Sequence, residues 1–154
     1  MQLAELNVGY AKYPLDDARM AGFMDNLDRI NALAERSPGY IWRMKSDSGN
    51  ATDINVPGDE TMISNMSVWA DVQSLGAYVF NTVHGQFYNR RPEWFEAMNR
   101  HHFVMWWIPD GHIPTLQEAV DRLAHLQTHG SSDHAFGWDA VDMSQFRRCT
   151  HAAE

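Results

Sequence analysis

Residues 101–108, His-His-Phe-Val-Met-Trp-Trp-Ile, read as a strand that is apolar or aromatic on both sides. Side chains of a strand alternate between faces, so His102, Val104, Trp106 and Ile108 share one face while Phe103, Met105 and Trp107 share the other. A soluble chain rarely leaves so large an apolar patch in water. If helices cover one face of the sheet, stacking against a second copy is the economical cover for the other. The gap between two stacked sheets would then form a pocket.

The remaining elements follow from hydrophobic period. Residues 3–12 alternate, with Ala4, Leu6, Val8 and Tyr10 on one face and Leu3, Glu5, Asn7 and Gly9 on the other. Met20, Phe23, Met24, Leu27, Ile30 and Ala34 recur at helical spacing and predict a helix over 18–36, stopped by Ser37-Pro38-Gly39. Residues 40–45 form a second strand and 46–60 a long, polar, mobile loop. Residues 61–69 form a third strand. Asp71 caps a helix whose buried stripe is Val72, Leu75, Val79 and Val83, and which carries His84 and, if it persists, Tyr88. Pro92 opens a short helix through Met98. Thr115-Leu116-Gln117-Glu118 has the capping-box pattern and starts a helix over 115–129 that Gly130 stops. Phe136, Trp138 and Phe146 are isolated anchors. The order β-α-β-β-α-(α)-β predicts a ferredoxin-like α+β fold, with a four-stranded antiparallel sheet, helices on one face and an extra C-terminal helix. The domain should span 1–138, with 139–154 as a tail.

Composition narrows the partners. The 154 residues carry a net charge of −8 and no basic run, which argues against nucleic acid and anionic membranes. No apolar stretch approaches a membrane span and no leader pattern opens the chain, so the expected setting is cytoplasmic. The single cysteine, Cys149, is expected to be an incidental thiol.

Chemistry-bearing residues concentrate in 67–112, which hold four of the six tryptophans and four of the eight histidines. Ser67-Val68-Trp69, the helix holding His84, Arg91-Pro92-Glu93-Trp94-Phe95-Glu96 and the run from Trp106 to Thr115 resemble a bacterial family of domains of unknown function. That family is grouped with the dimeric α+β barrels and is similar to the antibiotic-biosynthesis monooxygenases. The resemblance covers about residues 3–138. It departs at Pro92, where another arginine is expected, and at Gly130-Ser131-Ser132, which lacks an expected proline. It implies the fold, a homodimer and, more loosely, an oxidoreductase of monooxygenase-like kind.

The expected site follows. His84 is the candidate catalytic base. Asn7 and Asn65 would hold a substrate oxygen. Arg91 would orient an anionic group, unless a salt-bridged helix start with Glu93 or Glu96 uses it instead. Trp42, Tyr88, Trp94, Trp106 and Trp107 would wall a pocket for an aromatic or polyketide-like compound, with one of Trp106 and Trp107 facing the pocket and the other the core. The adjacent His101 and His102 belong to the rim, and His112 is structural, bonding near Thr115. His125, His129 and His134 lack the spacing of a closed metal site, so no metal is expected. No cofactor is expected either; haem ligated by His84 is the alternative. A non-oxidative isomerase, cyclase or lyase, or a non-catalytic ligand-binding protein, would use the same pocket.

Overall fold

The computed structural model describes residues 1–59 and 61–146. Cys149 and the end of the expected tail lie outside the described residues. Four strands, β1 (Gln2–Gly9), β2 (Tyr40–Arg43), β3 (Ile63–Trp69) and β4 (Phe103–Ile108), form one sheet in the order β2-β3-β1-β4. Every neighbouring pair is antiparallel, so the fold is the ferredoxin-like α+β arrangement that the element order implies.

Two expected helices are interrupted. The first is a 3-10 turn (Ala18–Met20), a short α1 (Ala21–Met24) and then α2 (Leu27–Arg36). The break falls at Asp25-Asn26, residues that compete for backbone groups; Asn26 Nδ2 donates to the Gly22 carbonyl at 2.9 Å. The second divides into α3 (Val72–Asn81) and α4 (His84–Asn89). Thr82 makes this break by leaving helical geometry, its hydroxyl donating to the Tyr78 carbonyl and accepting from His84 N at 3.2 Å. His84 is therefore the first residue of a new helix rather than a late residue of an old one. α5 (Arg91–Trp94) is shorter than expected, because Phe95 turns extended and bridges Ala11. α6 (Leu116–His129) matches its expected span, with Thr115 Oγ1 accepting from Glu118 N at 3.1 Å and Gly130 at φ +76° as its stop.

The two sheet faces are both covered within one chain. On one face Leu3, Trp69 and Met105 pack against Ala34 of α2 and Leu75, Tyr78 and Val79 of α3. On the other, Ala4, Leu6, Val68, Val104, Trp106 and Ile108 pack against Ala119, Leu123 and Leu126 of α6. The extra C-terminal helix thus supplies the cover that the sequence alone assigns to a second, stacked sheet. Trp106 is fully buried there, and its Nε1 donates to Glu118 Oε1 at 3.3 Å. No helix among the described residues is long and apolar enough to cross a membrane.

Candidate functional site

The face beneath α2 and α3 is not uniformly apolar. Pairing aligns Met105, Glu5, Ser67 and Arg43 in one rung across the four strands, and Phe103, Asn7 and Asn65 in the next. Glu5 and Ser67 are buried, whereas Asn65 is open to solvent. Above the outer rung lies a cavity of about 130 Å³, bounded by α1, α2, α4, α5 and residues 50–52. An inner chamber of about 50 Å³ adjoins it over the Glu5 rung and shares Asn7, Asn31, Arg43, Asn65, His84 and Tyr88 with it. Residues 49–52 close one side: Asn50 accepts from Asn31 Nδ2 at 2.7 Å and donates to Asp28 Oδ1 at 3.2 Å, while Arg43 Nη2 donates to the Gly49 carbonyl at 2.7 Å.

The cavity therefore lies between the sheet and its own helices, not between two stacked sheets. It brings together Asn7, Asn65, His84, Tyr88, Arg91 and Trp94. Trp42, Trp106 and Trp107 lie elsewhere. A bulge in β2 puts Trp42 on the α6 face, and Trp106 shares that face. Trp107 shares the cavity's face of the sheet but is 37% exposed and packs against Phe136, outside the lining. Trp138 takes the aromatic role instead, lining the inner chamber and stacking on Phe103 at 5.4 Å between ring centres.

His84 sits where the two chambers meet. Its Nδ1 lies 3.3 Å from the Val79 carbonyl, an acceptor only, so Nδ1 carries the proton and Nε2 is the basic nitrogen. Burial holds its pKa below the ordinary 6.5, with the Val79 contact pulling weakly the other way, and the imidazole is neutral at neutral pH. Its ring rests on Tyr78, 4.7 Å between centres, and Tyr78 stacks on Trp69.

Glu5 is the residue that sequence reasoning missed. It is 6% exposed at the floor of the inner chamber, where burial pushes its carboxyl up to about 8 against the opposing pull of Ser67. Ser67 Oγ donates to it and accepts from Trp69 Nε1 at 2.8 Å. Its signal was an acid in the alternating pattern of a strand whose two faces both become interior. At neutral pH it is a carboxylic acid with a proton to donate.

The arginines divide cleanly. Arg90 takes the carboxylate of Glu93, at 2.8 and 3.1 Å, on the exposed side of α5. Arg91 turns inward, donating to the Val8 carbonyl at 2.7 Å and to Asn7 Oδ1 at 3.4 Å, with its guanidinium 5.0 Å from the Phe95 ring centre. Gly9 makes the room: a Cβ there would fall 2.9 Å from Arg91 Nη2.

His112, His125, His129 and His134 lie outside the cavity lining. His112 Nε2 bonds Glu118 Oε2 at 2.9 Å, so Glu118 tethers the loop before α6 rather than closing its capping box. The His125 ring meets those of His129 and His134 at 4.5 Å between centres, tilted and edge-on respectively, but Arg122 Nη1 occupies His134 Nδ1 at 2.9 Å. Among the described residues no three histidine, cysteine or acidic side chains are arranged to hold a metal ion. The cavity also fits haem poorly, being smaller than the roughly 300–1,000 Å³ typical of larger ligands' sites.

Among solved structures the chain is similar to a protein of unknown function from Nitrosomonas europaea, at 14% identity over 74% of this chain and 95% of that one, with a TM-score of 0.47. It is also similar to a Chloroflexus aurantiacus protein provisionally described as an antibiotic biosynthesis monooxygenase, at 19% identity over 74% of this chain and 98% of that one, with a TM-score of 0.43. Neither likeness assigns a reaction. No curated protein matches the chain significantly. A family model described as domain of unknown function DUF3291 matches residues 2–151, and the chain belongs to that family.

Proposed function

We propose that this protein is a small-molecule enzyme, monooxygenase-like, in which His84 removes an acidic proton from a planar organic compound held in the helix-side cavity. The observation that carries this reading is a buried, neutral His84 lining a cavity over the polar Asn7–Asn65 rung, with the buried Glu5–Ser67 rung lining the adjoining chamber. Polar groups beneath covering helices cost free energy that apolar residues would not, so a fold under pressure for stability alone has no use for them.

The chemistry follows from the atoms. His84 Nε2 accepts the proton, and the side-chain amides of Asn7 and Asn65 stabilise the oxyanion left behind. Trp94 and Phe95 close the outer wall against water. The electron-rich anion then adds O₂ at carbon and takes the proton back as a hydroperoxide, which loses water to leave a carbonyl, so that one oxygen atom enters the product and the other leaves as water. About 130 Å³ is comparable to cavities that hold a single benzene ring, which favours one aromatic ring over a fused polycycle. Turnover under strict exclusion of O₂, with products weighed by mass spectrometry, tests the oxidative step: products must gain oxygen, and turnover must stop without it.

Glu5 favours one second reading. A neutral acid opposite a neutral base suits enolisation, so a non-oxidative isomerase, cyclase or lyase would show turnover that survives without O₂. If His84 and Glu5 variants bind ligands and act as the wild type does, the protein is a binding module. In this reading the protein acts in the cytoplasm. A homodimer, expected from the family resemblance, would duplicate the cavity rather than complete it; sedimentation equilibrium reads that directly.

A further inference from the structure

We propose that the cavity's ligand carries a carboxylate, and that Arg91 is the group that holds it. The inference rests on the cavity being a small-molecule site, but not on any reaction occurring there.

Arg91 is a partly buried cation in the cavity wall with no carboxylate in ion-pair range among the described residues. Its neighbours in sequence and space show what a satisfied arginine looks like here. Arg90 is paired with Glu93, and Arg43, the cavity's other guanidinium, is paired with Glu35 at 2.9 Å. Arg91 instead spends two donors on the Val8 carbonyl and, at a long 3.4 Å, on Asn7 Oδ1. Its other donors have no partner among the described residues. Among the described residues no carboxylate offsets the burial that works against its charge.

A buried cation left without a counter-charge is costly, and an incoming anion relieves the cost. Gly9 clears the space for the guanidinium along the end of β1, so the placement is built into the backbone. The planar guanidinium fork matches a carboxylate, and the room beside it holds about one ring. A small aromatic carboxylic acid is the class that meets both demands. Glu5 does not oppose it, because that carboxyl is protonated at neutral pH and sits in the inner chamber.

The test is binding, read by backbone NMR titration, so loss of His84 chemistry does not affect it. Benzoate and phenylacetate are compared with benzamide and phenylacetamide on wild type, Arg91→Met, Arg91→Lys and Arg90→Met. The acids should shift cavity resonances and bind about tenfold or more tighter than their amides in wild type. That preference should vanish in Arg91→Met, weaken in Arg91→Lys and survive in Arg90→Met, which removes an equal charge from the surface. Amides binding as tightly as acids, an acid preference surviving in Arg91→Met, or no response to any of the four probes overturns the proposal. Should Arg91→Met fail to fold, Arg91→Lys decides: an undiminished preference for the acids overturns it. Acid binding without turnover would sink the proposed reaction and leave the carboxylate assignment standing.

Discussion

Replacing Glu5 by glutamine keeps the side chain's shape and its partner Ser67 while removing the ionisable group. In the folded chain burial raises this carboxyl from 4.5 to about 8. The unfolded chain ionises it near 4.5. Between those values the unfolded chain holds fewer protons than the folded one, so stability falls as pH rises through the window and levels off above about 8. At about 1.4 kcal/mol per pKa unit, the full loss is of order 5 kcal/mol. That is comparable to the whole stability of a modest domain, roughly 5–15 kcal/mol. Urea unfolding of both proteins across this range reads the effect as the difference between variant and wild type, in which all other titrations cancel. The variant should be increasingly the more stable, gaining about 2 kcal/mol between pH 6.5 and 8 alone. A difference that does not change with pH, or that grows toward acid, would refute a neutral buried Glu5.

His84 gives the opposite sign on the acid side. Its folded pKa lies below 6.5, so the unfolded chain takes up the proton first and stability is lost as pH falls through 6.5; His84→Gln should remove that part of the acid loss, and the wild-type imidazole resonance should titrate below 6.5. A Cβ on Gly76 would lie 2.1 Å from Phe146 Cζ, so Gly76→Ala should displace that buried ring and cost about 1–3 kcal/mol in urea. An unchanged midpoint would contradict the packing of Phe146. Thr115→Ala removes the cap of α6 and should cost about 1 kcal/mol.

What could be read from the sequence, and what could not, divides on physical lines. Strand and helix order is local: alternation in residues 3–9 and the stripe Leu116, Ala119, Leu123, Leu126 declare their elements directly. Which side of a sheet a helix crosses is not local. The stripe of α6 was visible, but nothing in it says that it lies over Trp106. The pocket was therefore expected between two sheets and lies on the opposite face. Parity likewise separates Trp106 from Trp107 without locating either along the sheet. Trp107 pairs with Leu3 and Phe103 with Asn7, so the cavity rung is at the start of β4 and both tryptophans are at its end. Glu5 was hidden because an acid in an alternating strand ordinarily marks the wet face. Only the strand order, with β1 between β3 and β4 beneath helices, turns that face inward. His84 stood out because helix, aromatic neighbours and family resemblance converged on it, although the break at Thr82 that aims it did not.

The central claim is that His84 removes a proton from a ligand in the helix-side cavity. Its most direct measurement is hydrogen–deuterium exchange at carbon, followed by proton NMR in D₂O without oxygen, on a panel of aryl 2-oxo acids beginning with phenylpyruvate. Exchange reports proton abstraction whether the later step is oxidative or not. Proton abstraction by His84 requires wild type to accelerate loss of the acidic C–H signal and His84→Ala, folded by circular dichroism, to lose that acceleration. Equal exchange with wild type, with the variant and with buffer across the panel would contradict it.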